Sequence, residues 1–182
     1  MKRLNKREIA SGKWLTLSEL EYSFVDGSAR TWETVSRRNS AGAVVIFATL
    51  QPSGEMILVR QYRPPVDACV IEFPAGLIDG DEAPSAAAVR ELREETGYIG
   101  KVLKVSPRTY SSPGMSDEFL HIVHMEVRMD EQKDLQTDFD ECEFIETFRV
   151  KPADLNLFLA NAVEKGDRID AKVMTYALMV QP

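Results

Sequence analysis

The segment from Pro84 to Gly97 constrains this chain more than any other, because both its conformation and its charge are written in the residue order. Proline suits the first turn of a helix, the run Ala86-Ala87-Ala88 favours its continuation, and Gly97 can close it in a left-handed conformation. The sequence therefore predicts a helix over 84–95. Residues four apart share a helix face, so Glu91 and Glu95 project together, with Glu94 beside them. Each like-charge pair on a bare helix costs roughly 0.2–0.5 kcal/mol, and crowding near the negative end of the helix dipole adds to that cost. Arg90 can offset part of it by pairing with Glu94 at i+4. What remains implies either a cation held between the carboxylates or a strongly solvated charged face.

The surroundings of this helix read as strands. Residues 41–50 are β-branched and apolar, and 56–63 follow after the turn Gln51-Pro-Ser-Gly, so the two are expected to pair as a central hairpin. Residues 69–73 form another short strand, as do 101–106, 119–127 and 144–150, with the polar stretch 129–140 an exposed loop. Two helices finish the chain: 152–165, with Leu155, Phe158, Leu159 and Ala162 on one stripe, and 170–180, with Val173, Ala177 and Leu178. Ahead of this body, 14–25 and 29–38 read as a small hairpin turned by Asp26-Gly27. The mixture predicts an α/β sandwich rather than a regular βαβ array. It divides into an N-terminal β-hairpin region, 1–38, and a main domain, 39–182.

A formal net charge of -7 opposes attraction to a nucleic-acid backbone. An anionic substrate would then need imported positive charge, and a divalent metal is the natural source. Cys69 and Cys142 stand apart, neither in a metal-binding pair such as C-x-x-C, which fits reduced thiols in a cytoplasmic protein. The basic start Met1-Lys-Arg-Leu-Asn-Lys-Arg lacks the apolar stretch of a signal peptide. No window approaches the ~20 apolar residues of a membrane span, so the expected protein is soluble. His121 and His124 tempt a zinc reading, but strand positions three apart face opposite sides, so core or surface placement is expected.

Gly76 and Glu82 precede the helix at a spacing that gives Gly76-x5-Glu82-x7-Arg90-Glu91-Leu92-x-Glu94-Glu95-x-Gly97-Tyr98. This resembles the Nudix box, G-x5-E-x7-R-E-U-x-E-E-x-G-U with U bulky and apolar. Tyr98 at the last apolar position is the one mild departure. The resemblance implies a Nudix fold, an α/β/α sandwich around a mixed sheet, and a loop-helix-loop that binds Mg²⁺, or Mn²⁺ as a substitute. Such hard cations prefer oxygen donors, here Glu91, Glu95 and the main-chain carbonyl of Ala75. By the same resemblance, Arg90 and Glu82 hold loop and helix together, and Glu94 belongs to the metal and water shell. The general base comes from a later loop. Glu141 and Glu143 are the candidates, and Glu143, also a potential metal ligand, fits the family position better. The plain alternative for this stretch is an acidic solubilising loop.

Further stretches, Gln61-Tyr-Arg-Pro-Pro, Ile71-Glu-Phe-Pro-Ala-Gly-Leu, Gly12-Lys-Trp and Arg30-Thr-Trp-Glu, resemble the ADP-ribose pyrophosphatase branch of that family, and Pro113 stands where a proline marks the branch. The resemblance implies an adenine stacked between Trp14 and Trp32, one of them from a partner subunit. Glu33 would bond the base, and Arg37 and Arg63 would grip the pyrophosphate. Glu72, Leu77 and Ser112 would line the end near the metals and the terminal ribose. Without the resemblance, both tryptophans read as core or interface anchors. The partner implied is a small nucleotide sugar, with a homodimer formed by exchanged N-terminal hairpins, and neither nucleic acid nor membrane. Two alternatives stay open: a pyrophosphatase for another nucleotide sugar or an oxidised nucleotide, and a non-catalytic nucleotide-binding module.

Overall fold

A computed structural model describes residues 1–133, 135–139 and 144–180. Its central feature is strand β4 (Ala43–Gln51), whose alternate side chains serve two different cores. Val44, Ile46, Ala48 and Leu50 face one side and pack with Ala87, Ala88 and Leu92 of helix α1 (Pro84–Thr96). Val45 and Phe47 face the other, where Leu155, Leu159 and Ala162 of α2 (Leu155–Glu164) and Val173 and Ala177 of α3 (Ala171–Met179) cover them. A strand buried on both faces reads as a continuous apolar run, which is how 43–50 reads. The arrangement is the expected α/β/α sandwich.

The other strands of this sheet are β5 (Met56–Arg63), β6 (Ala68–Glu72), β7 (Ala75–Leu77), β8 (Lys101–Val105), β9 (Leu120–Arg128), β10 (Ile145–Val150) and β11 (Arg168–Ile169). Their order is β11-β6-β5-β4-β9-β8, with β10 beside β5 and β7 beside β4. The β4–β9 and β6–β11 pairs are parallel and the rest antiparallel, so the sheet is mixed.

The expected central hairpin forms only at its base. β4 and β5 share the single register pair Thr49↔Met56, after which they part. β4 continues against β9 through Ala43↔Leu120 and takes β7 on its other edge at Ala43–Val45, while β5 takes β6 and β10. The short strand β7, which no periodicity announced, thus lies along the first half of β4 and carries Ala75 and Gly76 to the edge of α1.

Helix boundaries follow local signals. Pro84 stands in the first turn of α1, and Gly97 ends it at φ 74° with its N–H donating to the Arg93 carbonyl. Asp170 caps α3 by accepting from the Lys172 amide. Leu178, expected on the buried stripe of α3, is instead exposed, since Val173 and Ala177 already supply the face that meets the sheet.

The N-terminal region is a three-stranded antiparallel sheet rather than a hairpin: β1 (Lys2–Ser11), β2 (Leu15–Ser23) and β3 (Ala29–Arg37), in the order β1-β2-β3. β1 was illegible because every one of its residues is exposed, so burial imposes no alternation on the sequence. Its outer edge carries Lys and Arg, which discourage pairing with a further strand. β3 is joined to the main body by an isolated parallel bridge, Val35 to Ser116, and by hydrogen bonds onto the segment before β9. Trp32 Nε1 donates to the Gly114 carbonyl at 2.9 Å, and the Val35 amide to the Met115 carbonyl at 2.9 Å. Arg37 Nε reaches Glu118 at 2.7 Å.

Candidate active site

The carboxylates of α1 gather around Arg90. Its guanidinium donates to Glu91 at 2.8 Å, to Glu94 at 3.0 Å, to Glu82 at 3.0 Å and to the Leu77 carbonyl at 2.9 Å. The expected i+4 pair with Glu94 is present, and the same side chain also ties the loop before the helix to the helix itself. The hydrogen bond to Glu82 is the largest cause that holds Arg90 further into its charged form, and Arg90 in turn holds the Glu82 carboxyl below its ordinary range.

Glu95 is 5% exposed, the one buried carboxylate on α1, and its Oε2 accepts the Ala75 amide at 3.1 Å. Gly76 follows, and a Cβ there would overlap the Glu91 carboxylate. Glycine is required at this position for approach, since any side chain would displace the carboxylate from the edge of β7.

Together these groups line a cleft of about 650 Å³ shared by Ala75, Gly76, Leu77, Arg90, Glu91, Glu94, Glu95, Arg37 and Arg63. It opens where β4 has left β5 and taken up β7. Arg63 is oriented by a fork onto Glu72, with Nε 3.1 Å from both carboxylate oxygens, so Glu72 acts on the cleft through Arg63 rather than from its wall. Arg37 is oriented by Glu118, a wall residue that sequence reasoning missed because only the fold brings it beside Arg37. Asp138 and Phe139 also line it, with Ala43, Val44, Val45 and Asp79; Asp138 lay in an acidic stretch, but nothing local distinguished it from its neighbours.

Besides Glu72, four further expected substrate residues, Trp14, Trp32, Glu33 and Ser112, lie outside this single-chain cleft. Trp14, in the bend before β2, and Trp32, on β3, are 64% and 52% exposed. Glu33 is exposed opposite Glu19, and Ser112 stands at a turn where its carbonyl accepts the amides of Met115 and Ser116. The reason is geometric: β3 runs along the segment before β9, and the indole of Trp32 is held there by Gly114. Glu141 and Glu143 fall outside the described residues. His121 faces Ser106 and His124 stacks near Phe47 on the opposite side of β9, so they do not converge.

The donor set suits a hard cation. It is all oxygen, from Glu91, Glu94, Glu95 and the Ala75 carbonyl, and the glycine that admits Glu91 keeps the approach open. Among the described residues no three His, Cys, Asp or Glu side chains are gathered so that they could together hold a metal ion. Mg²⁺ does not need three, because it keeps several waters and takes one or two carboxylates. Among the described residues, no helix is long and apolar enough to cross a membrane.

Comparison with known proteins follows the same lines. The NUDIX domain family model matches residues 39–173. An ADP-sugar pyrophosphatase from Mus musculus is 37% identical over 183 residues, covering 95% of this chain and 84% of that protein. An ADP-ribose pyrophosphatase from Bacillus subtilis is 35% identical over 179 residues, covering 97% and 90%. A solved structure described as an ADP compounds hydrolase superposes with a TM-score of 0.73 at 22% identity, over 98% of this chain and 90% of the other, and so shares its fold.

Proposed function

The chain belongs to the NUDIX domain family, and on that premise we propose that it hydrolyses the pyrophosphate bond of ADP-ribose, to AMP and ribose 5-phosphate, or that of a closely related nucleoside diphosphate sugar. It would act in the cytoplasm with Mg²⁺, for which Mn²⁺ can substitute. The observation that carries this reading is a single cleft lined both by the α1 carboxylates and by the guanidinium groups of Arg37 and Arg63. One set suits metal and the other phosphate oxygens. Relatives of this chain named for ADP-sugar and ADP-ribose pyrophosphatase activity support the choice of substrate.

A divalent ion held by Glu91, Glu95 and the Ala75 carbonyl would neutralise charge on the phosphate oxygens and lower the pKa of an attacking water. The chain's own groups do the rest. Glu94 orients water at the helix face, and Arg90 keeps loop and helix in register through Glu82 and the Leu77 carbonyl. Arg63, pre-oriented by Glu72, and Arg37, pre-oriented by Glu118, grip the pyrophosphate with little ordering left to do. Water attacks one phosphorus as the bridging oxygen departs, and a carboxylate of the later loop, Glu143 or else Glu141, takes the proton.

Trp14, Trp32 and Glu33 enter this scheme through a second subunit. Their exposure in the N-terminal region supports a homodimer in which the 1–38 region of each chain completes the adenine pocket of the main domain, 39–182, with Leu77 and Ser112 toward the terminal ribose. The testing experiment is hydrolysis of a panel of nucleoside diphosphate compounds with and without Mg²⁺, with Glu95→Gln as control. AMP and ribose 5-phosphate, lost without metal and in the variant, are expected. Turnover confined to another compound would replace the substrate, and no turnover at all would leave a nucleotide-binding module.

A further inference from the structure

We propose that Gln132 is a positioning residue that fixes the segment 135–139 against α1 and thereby sets the wall of the cleft formed by Asp138 and Phe139; for its effect on catalysis this rests on the hydrolase reading above. The Gln132 amide is spent entirely on main chain. Its Oε1 accepts the Ile99 N–H at 2.9 Å, and its Nε2 donates to the Ile99 carbonyl at 3.0 Å and to the Arg128 carbonyl at 2.9 Å. It thus ties the residue just beyond the end of α1 to the 3-10 turn Met129–Glu131 that follows β9. Both donors and the acceptor oxygen are in use, an arrangement that no other side-chain type of this length reproduces.

Two further anchors hold the segment itself, one at Gly97 and one at Glu94. Gly97 approaches the main chain of the segment so closely that a Cβ would stand 2.7 Å from the Leu135 carbonyl carbon. The Asp138 amide donates to the Glu94 carbonyl at 2.9 Å. Asp138 and Phe139 then join Glu91, Glu94 and Glu95 around the cleft.

The segment needs such anchors because it has space on both sides. Beyond it lies a second cavity of about 710 Å³, lined by Val89, Arg93, Gln136 and Thr137, and by Arg90, Glu94 and Asp138, which it shares with the cleft. Residues 135–138 are exposed, so apolar packing does not hold them. A partition between two voids sits where its ends are fixed, and Gln132, three residues ahead of Leu135, fixes the entry to the segment through three bonds to the Ile99 and Arg128 main chain, outside the catalytic groups.

The test uses Gln132→Met, which keeps length and removes all three bonds, and Gln132→Glu, which keeps only the acceptor, should the first fail to fold. In the metal-free protein, amide exchange at Asp138 should quicken by about tenfold, as local opening becomes easier, with no change at buried Val123. In the Mg²⁺-loaded protein, kcat should fall about tenfold to a hundredfold, the scale of a small misplacement, while KM moves less than about threefold. Unchanged exchange at Asp138 overturns the proposal, as does unchanged kcat in a variant of an active enzyme. If the wild-type chain turns over nothing, the hydrolase reading fails, and the exchange measurement alone decides whether Gln132 holds the segment.

Discussion

Two arginines organise two carboxylate clusters in this molecule, and they do opposite things. Arg60 on β5 holds Asp167 through Nε at 2.9 and 3.0 Å to its two oxygens, and Glu146 at 2.6 Å. Asp167 is buried, and the three groups bind β5, β10 and the turn before β11 into one seam. Burial works against the charge on Arg60, and the bonds to Asp167 and Glu146 outweigh it. Arg90 meets more partners, Glu82, Glu91 and Glu94 with Asp79 at 3.7 Å, while buried Glu95 stands close by on the same helix. One guanidinium cannot balance them. The Arg60 cluster nearly closes its charge and serves cohesion; the Arg90 cluster leaves negative charge facing an open cleft, which suits a site whose remaining positive charge arrives from solution.

The sharpest way to break this contrast is to neutralise one carboxylate at the cleft. Glu91→Gln should lower kcat/KM by about a thousandfold, since a catalytic metal supplies several kcal/mol of charge stabilisation and each 1.36 kcal/mol is about tenfold. Steady-state kinetics at saturating Mg²⁺ measure it, and a loss under tenfold would mean that Glu91 belongs to the helix rather than to the chemistry. At the other cluster, Arg60→Met should cost about 3 kcal/mol of stability in urea unfolding, because Asp167 is left buried without a partner, yet turnover should stay within about twofold. If activity fell in step with stability, the division of labour would be false.

The smallest effect is a pH dependence. Glu82 is held below its ordinary value of 4.5 by Arg90, so the folded state binds fewer protons than the unfolded chain. The stability this gives is fully present above about pH 4.5 and is lost as pH falls through the lowered folded value. Unfolding curves between about pH 6 and pH 3 should show a shallower acid decline in Glu82→Gln than in the parent. An unchanged slope would remove Glu82 from the Arg90 cluster's energetics.

Legibility followed the range of the interactions. Helix α1 was readable to within a residue because Pro84 and Gly97 are local signals, and its carboxylates because their spacing alone puts them on one face. Strand β4 was readable from its β-branched, apolar run. The three-residue strand β7 and the early parting of β4 from β5 were not, since both are fixed by which strand wins an edge in three dimensions. Glu118 and Asp138 reach the cleft through such long-range choices. The two tryptophans show the converse: the family resemblance implies base stacking, but in one chain they stand exposed in the N-terminal region, and their meeting a nucleotide turns on assembly.

Gly76 and Glu91 have a consequence for how such a chain can change. The space that a Cβ would occupy at one position is filled by the carboxylate of the other, so the two share a single volume. A mutation at Gly76 to any larger residue meets Glu91 at once, and a shortened residue at Glu91 makes room for a side chain at Gly76 only by discarding the carboxylate. These two positions, distant along the chain, are therefore coupled: a side chain at Gly76 forces the Glu91 carboxylate to move, and the effect of a change at either depends on the residue at the other.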